Sequence, residues 1–447
     1  MVPHLTTALN GPLLELEQRV LDASTAIERW FRLRWKAHQP PFYCSVDLRN
    51  SGFKLAPVDT NLFPGGFNNL GPAFTPLAVQ AATAAIEKIC PEAKNLLLVP
   101  ENHTRNKWYL ENVTALAAIL RQTGLEVRIG SLNPDIAAPT ELETATGRKL
   151  RLEPLKRTDS RLGVEGFDPC VILVNNDLSS GIPAILQGLE EQVLLPPLHA
   201  GWAVRRKSTH FAAYDEVAAQ FAQLLQIDPW LLNPYHAECG EIDFQERAGE
   251  ECLASNVSML LQKIRFKYLE YGIKETPYVA VKADAGTYGM GVMMVRDAAE
   301  VRDLNRKQRN RMAVVKEGLA VTQVIIQEGV HTVERIEETV AEPVVYMIDH
   351  FVVGGFYRVH GARAADENLN APGMHFVPLA FEQSCTVPDP HAACDAPPNR
   401  FYAYGVVARL ALAAAGLELE RTAPAPSTTA PAPSTTAPVP SSDAPAE

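Results

Sequence analysis

The chain has 447 residues, a formal net charge of −11, and 47% hydrophobic and 21% charged residues. This length and apolar content are typical of a globular protein with two or three domains and a sizeable core. The acidic balance argues against a nucleic-acid partner, because an acidic protein repels phosphate backbones.

The N-terminus lacks the basic region followed by a long apolar stretch that marks a signal peptide. The most apolar stretch, residues 405–419, is shorter than a membrane span and is interrupted by Arg409, so we expect a packed helix there. Seven cysteines are scattered along the chain without a CxxC pair, which indicates reduced thiols. We therefore expect a cytoplasmic protein with no membrane partner.

Residues 421–447 are rich in proline, serine, threonine and alanine, and APAPSTT occurs twice among them. Such a segment has too little apolar surface to offset the entropy cost of ordering it, so we predict a disordered tail. A solubilising role suits the tail better than a role as a ligand for polyproline-binding domains, because it has no PxxP sequence with flanking arginines.

Apolar residues recur at helical spacing over residues 8–38, so residues 1–44 are predicted to form an N-terminal helical segment. Apolar runs at 95–99 and 170–174 then each end in a polar loop, with helices expected near 107–123 and from Pro183. Residues 45–250 are thus predicted to form an α/β substrate-side domain with a mainly parallel sheet. Because ligands bind at the carboxyl ends of such strands, the loops at 100–106 and 175–181 mark a candidate substrate edge.

Residues 251–420 form a second predicted region, which begins with a helix near 253–271 and strands at 278–282 and 291–295. A helix near 298–309, strands at 321–327, 343–348 and 351–358, and a closing helix at 402–418 are expected to follow.

The sharpest motif of this second region is a strand that ends in Lys282 and continues into a glycine-rich loop. Such a loop folds backbone N–H groups over phosphate oxygens, while the lysine supplies a positive charge. The motif is neither a P-loop nor a dinucleotide-binding fingerprint, because a strand rather than a helix follows the glycines. Three glycines alone would favour an ordinary hairpin, but the lysine and the later motifs favour a nucleotide site. The residues assigned to it are Lys282, Gly286, Tyr288, Gly289 and Gly291.

Two later motifs extend the candidate site. A strand that ends in Gln327 and Glu328, just before Val330, can present a backbone edge and a carboxylate to an adenine, although a buried strand with a polar turn explains it equally well. Arg358 ends a hairpin and suits a transferring phosphoryl group, whereas taken alone it would more simply be a surface salt bridge. The polar loop beyond this hairpin contributes Asn368 and Asn370.

In this order the motifs resemble the ATP-grasp ligase superfamily over about residues 255–420. The resemblance implies an α/β protein of ATP-grasp fold with ATP and Mg²⁺ as cofactors. The carboxylate-x-Asn strand that holds Mg²⁺ in most of these enzymes is missing near the C-terminus. Asp59 and Asn61 match it early in the chain, as in the permuted, glutathione-synthetase-like enzymes, and by the same resemblance Asp284 is a further metal ligand. The alternative for Asp59 and Asn61 is a turn-capping pair.

The body of the chain is similar to a narrower group, the proteobacterial glutamate–cysteine ligase family of ATP-grasp type. The resemblance is carried by VDLRNSGFKLAPVDTNLFPGGFNNL at 46–70, PENHTRNKWYLENV at 100–113, LHAGWAVRRKSTHF at 198–211, VKADAGTYGMGVM at 281–293 and IDHFVVGGFYRVH at 348–360. It implies that ATP drives the joining of the glutamate γ-carboxylate, activated as an acyl phosphate, to the cysteine amine. This is the first step of glutathione synthesis, with glutamate and cysteine as small-molecule substrates.

Catalysis in such a ligase requires no protein nucleophile, because positioning and charge neutralisation do the work. Lys282 and Arg358 are therefore the expected catalytic residues. An acidic enzyme with acidic substrates also needs polar and cationic side chains in its site. The expected substrate-binding residues are Arg49, Asn68, Asn69, Arg105, Arg205, Asn368 and Asn370.

Two other functions stay open at this point. One is a different ATP-grasp amide ligase, such as a glutathione synthetase or another γ-glutamyl–amine ligase, because a few pocket residues decide the amine. The other is a non-catalytic ATP-binding regulatory protein. The sequence also leaves a homo-oligomer open.

Overall fold

A computed structural model of the chain describes residues 12–286, 290–314, 318–378 and 401–425. Tyr288, Gly289 and most of the predicted 421–447 tail lie outside these ranges. The described helices are α1 Pro12–Asp22, α2 Ser24–Ala37, α3 Thr75–Ile89, α4 Lys107–Gln122, α5 Lys207–Leu225, α6 Glu250–Glu270, α7 Ala299–Arg302, α8 Arg306–Ala313 and α9 Phe401–Thr422.

The described strands belong mainly to three sheets. They are β1 Tyr43–Asn50, β2 Leu55–Asn61, β3 Asn95–Pro100, β4 Glu126–Ser131, β5 Thr140–Glu143, β6 Lys149–Pro154, β7 Lys156–Thr158, β8 Arg161–Gly163, β9 Val171–Asn175, β10 Val193–Leu195, β11 His236–Cys239, β12 Val279–Ala283, β13 Val292–Val295, β14 Val324–Glu328, β15 Arg335–Ile336, β16 Thr339–Ile348, β17 Phe351–Val359 and β18 His375–Pro378.

The first sheet has the order β10-β9-β3-β4-β6-β5 and is parallel except for the β5–β6 pair. Its central strands are continuous apolar runs, as expected for strands covered on both faces. The polar loops after β3 and β9 therefore lie at the same edge, as the sequence predicted. Asn106 caps α4 by accepting a hydrogen bond from the Tyr109 N–H, which begins the helix close to the predicted residue.

Two antiparallel sheets form the rest of the framework. A four-stranded sheet has the order β11-β14-β12-β13. A six-stranded sheet has the order β18-β17-β16-β1-β2, with β15 paired to β16. In this sheet β1 pairs with β16, so that Asp47 lies opposite Val344. The strand pairing therefore connects the two predicted regions. β1 and β2 come early in the chain, near the predicted boundary at residue 45, but they join a sheet with strands of the 251–420 region.

Three predictions about helices need correction. No α-helix begins at Pro183; a 3-10 turn at Ala184–Leu186 is followed by Gly188 at φ 64°, a left-handed conformation that a helix cannot continue through. The helix expected near 298–309 is two helices, α7 and α8, because Asn305 forms a capping box with Gln308 that starts a new helix. The sequence analysis also missed α5, a helix buried on several sides.

The closing helix α9 is longer than predicted and runs through the core. By length and composition it is the one helix of the described ranges that could cross a membrane, and 94% of its most apolar window is buried inside the protein. Arg409, which interrupts its apolar sequence, is buried and donates hydrogen bonds to both carboxylate oxygens of Glu28 on α2, at 2.8 and 2.9 Å. The positive charge of Arg409 is thus balanced by the carboxylate of Glu28 on α2.

Candidate active site

Two adjoining cavities lie where the three sheets meet. The first, the inter-sheet cavity, has a volume of about 700 Å³ and lies between the two antiparallel sheets, with Lys282 on one side and Glu342 on the other. The second, the edge cavity, has a volume of about 1310 Å³ and reaches the carboxyl ends of β3 and β9. The residues that line both cavities, and so define their junction, are Asp47, Asp59, Arg358 and Asn370.

Lys282 on β12 faces the inter-sheet cavity, as the sequence predicted. Its Nζ donates to the Val58 carbonyl at 2.7 Å and to Gln327 Oε1 at 2.6 Å. Burial lowers the pKa of Lys282 to about 8, even though the nearby Asp59 carboxylate favours its charged form. The lysine is thus a cation at neutral pH, placed to meet an anion in the cavity.

Arg358 on β17 lies at the junction between two carboxylates. Its Nη1 donates to Asp47 Oδ2 at 2.7 Å and to Glu342 Oε1 at 2.6 Å. Although burial opposes charge, these two carboxylates raise the pKa of Arg358 above its ordinary value. Among the described residues, neither the buried Arg358 Nε nor the nearby Gln327 Nε2 has an acceptor. Two unpartnered donors, one on each of the two sheets that line the cavity, fit an anionic or acceptor-rich ligand.

Asp59 on β2 lies directly opposite Asp47 on β1. Lys207, at the start of α5, contacts Asp59 Oδ1 at 2.8 Å and also lies 4.2 Å from the centre of the Trp202 ring. Burial raises the pKa of Asp59, but the charges of Lys207 and Lys282 outweigh it and lower the pKa to about 2. Asn61, two residues further on, lines the edge cavity and accepts a hydrogen bond from the Phe63 N–H at 3.0 Å.

These oxygens form a donor set that suits Mg²⁺, which prefers hard oxygen ligands. Asp47 and Asp59 come from opposed strands, and in each carboxylate one oxygen is engaged by a cation at 2.7–2.8 Å. Within the described ranges, no cluster of three or more His, Cys, Asp or Glu side chains is arranged around a metal position. A metal ion here would thus be held by the carboxylates of Asp47 and Asp59, the amide oxygen of Asn61 and oxygen atoms of a bound small molecule.

A model of the glutamate–cysteine ligase family matches residues 17–419. The chain belongs to the glutamate–cysteine ligase family. A crystal structure of a candidate gamma-glutamylcysteine synthetase from Methylobacillus flagellatus KT is 68% identical, with a TM-score of 0.87, covering 94% of this chain and 99% of that one. No curated protein matches the chain.

Two more distant structures are similar at 10% identity. A glutathione synthetase-like effector from Globodera pallida has a TM-score of 0.38, covering 84% of this chain and 84% of that one. D-alanyl-alanine synthetase A from Vibrio cholerae O1 biovar eltor str. N16961 has a TM-score of 0.31, covering 65% of this chain and 75% of that one. The α/β class that the sequence predicted is confirmed by the sheets and the helices around them.

The structure does not support Asp284 as a metal ligand. Both of its carboxylate oxygens accept hydrogen bonds from Ser208, one from the backbone N–H and one from the hydroxyl, each at 2.7 Å. Asp284 therefore caps the N-terminus of α5, where a carboxylate also interacts favourably with the helix dipole. The sequence could not predict this capping role from the position of Asp284 two residues after Lys282, because Ser208 in the capped helix is 76 residues away in the chain.

Two of the three arginines predicted to bind substrate are fully engaged within the protein. Arg49 donates to Glu342 Oε2 at 2.8 Å, to the Tyr278 hydroxyl at 3.1 Å and to three backbone carbonyls. Arg205 donates to both oxygens of Glu418, at 2.8 and 3.1 Å, and to the Thr60 carbonyl at 2.7 Å. Arg105 is exposed and lies one residue before Asn106 at the rim of the edge cavity. Both guanidinium groups are thus engaged by the protein itself, although Arg49 also lines the inter-sheet cavity.

The carboxylate of Glu328 is also engaged away from the inter-sheet cavity, contrary to the suggested adenine contact. It forms an ion pair with Lys54 at 2.7 Å, and both side chains are 1% exposed. Trp230 Nε1 and the Tyr235 N–H donate to the same carboxylate. The backbone of Glu328, Gly329 and Val330 still borders the cavity, so a backbone contact to adenine stays a prediction.

The remaining predicted residues border the two cavities, except for Gly291, which lies next to β13. Gly286 lines the inter-sheet cavity at φ 104°, and Gly291 at φ 60° begins the return strand, two conformations that favour glycine. Asn68 and Asn69 line the edge cavity, where Asn68 Nδ2 donates to Asn69 Oδ1 at 3.1 Å. Asn368 and Asn370 line the inter-sheet cavity, and the Asn370 N–H donates to Asn368 Oδ1 at 3.0 Å.

Sequence analysis missed Asp47, and it considered Lys207 as a candidate cation without assigning it to the site. The signal for Asp47 was present, because Val46-Asp47 and Val58-Asp59 repeat one dipeptide on consecutive strands. Lys207 belongs to the run Arg205-Arg206-Lys207, in which nothing distinguishes the residue that faces the cavity.

Proposed function

We propose that this ligase joins the γ-carboxylate of glutamate to the amine of cysteine at the junction of the two cavities, with ATP in the inter-sheet cavity and glutamate in the edge cavity. The observation that carries this proposal is the junction itself. Asp47, Asp59, Arg358 and Asn370 line both cavities, so a phosphate on one side and a carboxylate on the other come within reach of the same residues.

The cations of the inter-sheet cavity orient the phosphates of ATP. Lys282 and Lys207 contact the neighbouring residues Val58 and Asp59 and line the inter-sheet cavity, and Arg358 lies at the junction. As the glutamate γ-carboxylate oxygen attacks the terminal phosphorus and ADP leaves, these charges stabilise the transferring phosphoryl group. The cysteine amine then attacks the acyl carbon, the amine loses a proton, and phosphate departs from the tetrahedral intermediate.

Asp59 and Asn61, with Asp47 opposite, are the residues that would hold Mg²⁺ in this scheme. The ion would offset negative charge on the nucleotide phosphates. The protein's own part is to keep Asp59 ionised, which Lys207 and Lys282 do by lowering its pKa.

The edge cavity suits glutamate through amides rather than through arginines. Among its described lining residues Arg358 is the one cation. Seven asparagines supply neutral donors and acceptors, and these are Asn61, Asn68, Asn69, Asn106, Asn112, Asn175 and Asn370. Glu101 and Asp177, at the ends of β3 and β9, offer negative charge for an ammonium group.

The test is an ADP-release assay with glutamate and a panel of amines. We expect cysteine to give the highest kcat/KM. Turnover that does not favour cysteine would favour another amide ligase, and no ADP release with any amine would favour a regulatory ATP-binding protein.

Matched variants test the site itself. We expect Lys282→Ala and Asp59→Ala to abolish ADP formation while the protein stays folded. The exposed pair Lys149 and Glu141 offers a control, since Lys149→Ala removes a lysine far from both cavities. Wild-type turnover in either site variant would contradict the assignment.

We further propose a cellular location for the ligase and a division of its chain between substrate and nucleotide. We place the ligase in the cytoplasm, acting on small molecules, with residues 45–250 mainly on the substrate side and 251–420 mainly on the nucleotide side.

A further inference from the structure

Two cysteines meet at the outer edge of the four-stranded sheet, outside both cavities. Cys239 ends the edge strand β11 and is buried, whereas Cys252 lies in the first turn of α6 and is exposed. Their sulfur atoms are 3.4 Å apart. A solvent-facing thiol is therefore in contact with a buried one.

The contacts around the pair give the two thiols different roles. The Cys239 thiol donates to Cys252 Sγ, and Asn256 Nδ2 donates to the same sulfur at 3.6 Å. Because Cys252 is the exposed residue of the two, a disulfide in solution reaches its sulfur first. Burial raises the pKa of Cys239 to about 11, so this residue remains a protonated thiol until its partner has reacted.

We propose that Cys239 and Cys252 form a dithiol site that reacts with low-molecular-weight disulfides, such as cystine, and closes to an intramolecular disulfide. The Cys252 thiolate attacks one sulfur of cystine, which forms a mixed disulfide and releases one cysteine thiolate. Cys239 then gives up its proton and attacks Cys252 Sγ, which releases the second cysteine. The protein dithiol is oxidised, and one cystine is reduced to two cysteines.

A second pair of cysteines provides an internal comparison. Cys90 and Cys170 also have sulfur atoms 3.4 Å apart. However, Cys90 and Cys170 are both half-buried, whereas Cys252 is exposed. Cystine should therefore oxidise the Cys239–Cys252 pair first.

The chain offers a direct way to detect this cross-link. Trypsin cleaves after Arg247, so Cys239 falls in the peptide 208–247 and Cys252 in the peptide 248–263. The folded, full-length enzyme is incubated with cystine, unreacted thiols are alkylated under denaturing conditions, and the digest is analysed by mass spectrometry without reduction.

We expect peptides 208–247 and 248–263 to appear as one disulfide-linked species that dithiothreitol separates. Cys252→Ser should abolish it, Cys239→Ser should stop the reaction at a cysteine adduct on Cys252, and the matched control Cys90→Ser should leave it unchanged. Both peptides alkylated after cystine treatment, or a Cys90–Cys170 cross-link that forms first, would overturn the proposal. The readout does not involve ligase turnover, so it stands or fails separately from the proposed function.

Discussion

At the scale of single residues, charge in the sequence does not reveal which partner a side chain has. Arg49, Arg205 and Lys207 all belong to segments that resemble the ligase family, but two of them are engaged by buried carboxylates and carbonyls. Lys207 reaches the cavity because α5 begins there. Lys282 and Arg358 could be predicted because a strand fixes the direction of each side chain.

Lys207 is expected to contribute to catalysis as a third cation. Lys207→Met keeps the length of the side chain but removes a charge that faces the phosphate end of the site. We expect kcat/KM for ADP release to fall by about 10²-fold, the effect of losing one preorganised electrostatic contact. Lys149→Met is the matched control, and unchanged kinetics in Lys207→Met would mean that Lys207 serves only to neutralise Asp59.

Arg49 is expected to act on stability, in contrast to Arg105. Arg49→Ala leaves Glu342 with one of its two cationic partners and removes the donor to the Val330 carbonyl. We expect the free energy of unfolding, measured with urea, to fall by about 3–5 kcal/mol. Arg105→Ala should change it by less than about 0.5 kcal/mol because its side chain is exposed. Equal effects of the two substitutions would contradict a structural role for Arg49.

At the scale of elements, the sequence predicts best where one periodicity dominates. The strands β3, β9 and β12 are short apolar runs, and each lies within a residue or two of its predicted bounds. Helix α5 escaped prediction because it is buried on several sides and so lacks a clear polar face. Its contact with α9 could not be predicted, since Arg205 just before α5 and Glu418 near the end of α9 are 213 residues apart.

This contact between α5 and α9 predicts a specific dependence of stability on pH. Burial raises the pKa of Glu418, but Arg205 and His210 outweigh it and lower the pKa to about 2. A carboxylate with a depressed pKa stabilises the fold above its unfolded-state pKa of about 4.3, and this contribution is lost as the pH falls toward 2.

Glu418→Gln measures that contribution. We expect the variant to be about 3–5 kcal/mol less stable than the wild type at pH 7, because Arg205 loses its buried counter-ion. The difference should shrink between about pH 5 and pH 2 in urea titrations. A difference independent of pH would show that lost packing rather than charge destabilises the variant.

At the scale of the whole molecule, periodicity predicted the α/β class, whereas the ATP-grasp fold was implied by resemblance alone. Asp59 and Asn61 match a permuted metal strand, and β2 indeed lies in the sheet that carries Arg358. Local pattern alone could not predict that β1 of this hairpin pairs with β16, because nothing local specifies so distant a partner.

Shortened chains test the boundary of the folded body. A chain that ends at Ala425 retains all of α9, and we expect its kcat and KM for ADP release to match those of the full chain within about twofold. A chain that ends at Ala415 loses Glu418 and should fail to fold, as circular dichroism would show. Impaired kinetics in the longer of the two would assign a catalytic role to residues 426–447.

The distance between Arg49 and Glu342 along the chain, 293 residues, also has a consequence for biosynthesis. At about 5–20 residues per second, a ribosome takes roughly 15–60 seconds to deliver the partner of an arginine it has already made. During that interval β1 and β2 leave the ribosome as a hairpin with apolar faces, and the edge of β1 that later pairs with β16 has no partner strand. The nascent ligase therefore carries an exposed, aggregation-prone strand edge for most of its translation, and its inter-sheet cavity is complete only once β16 and β17 have been synthesised.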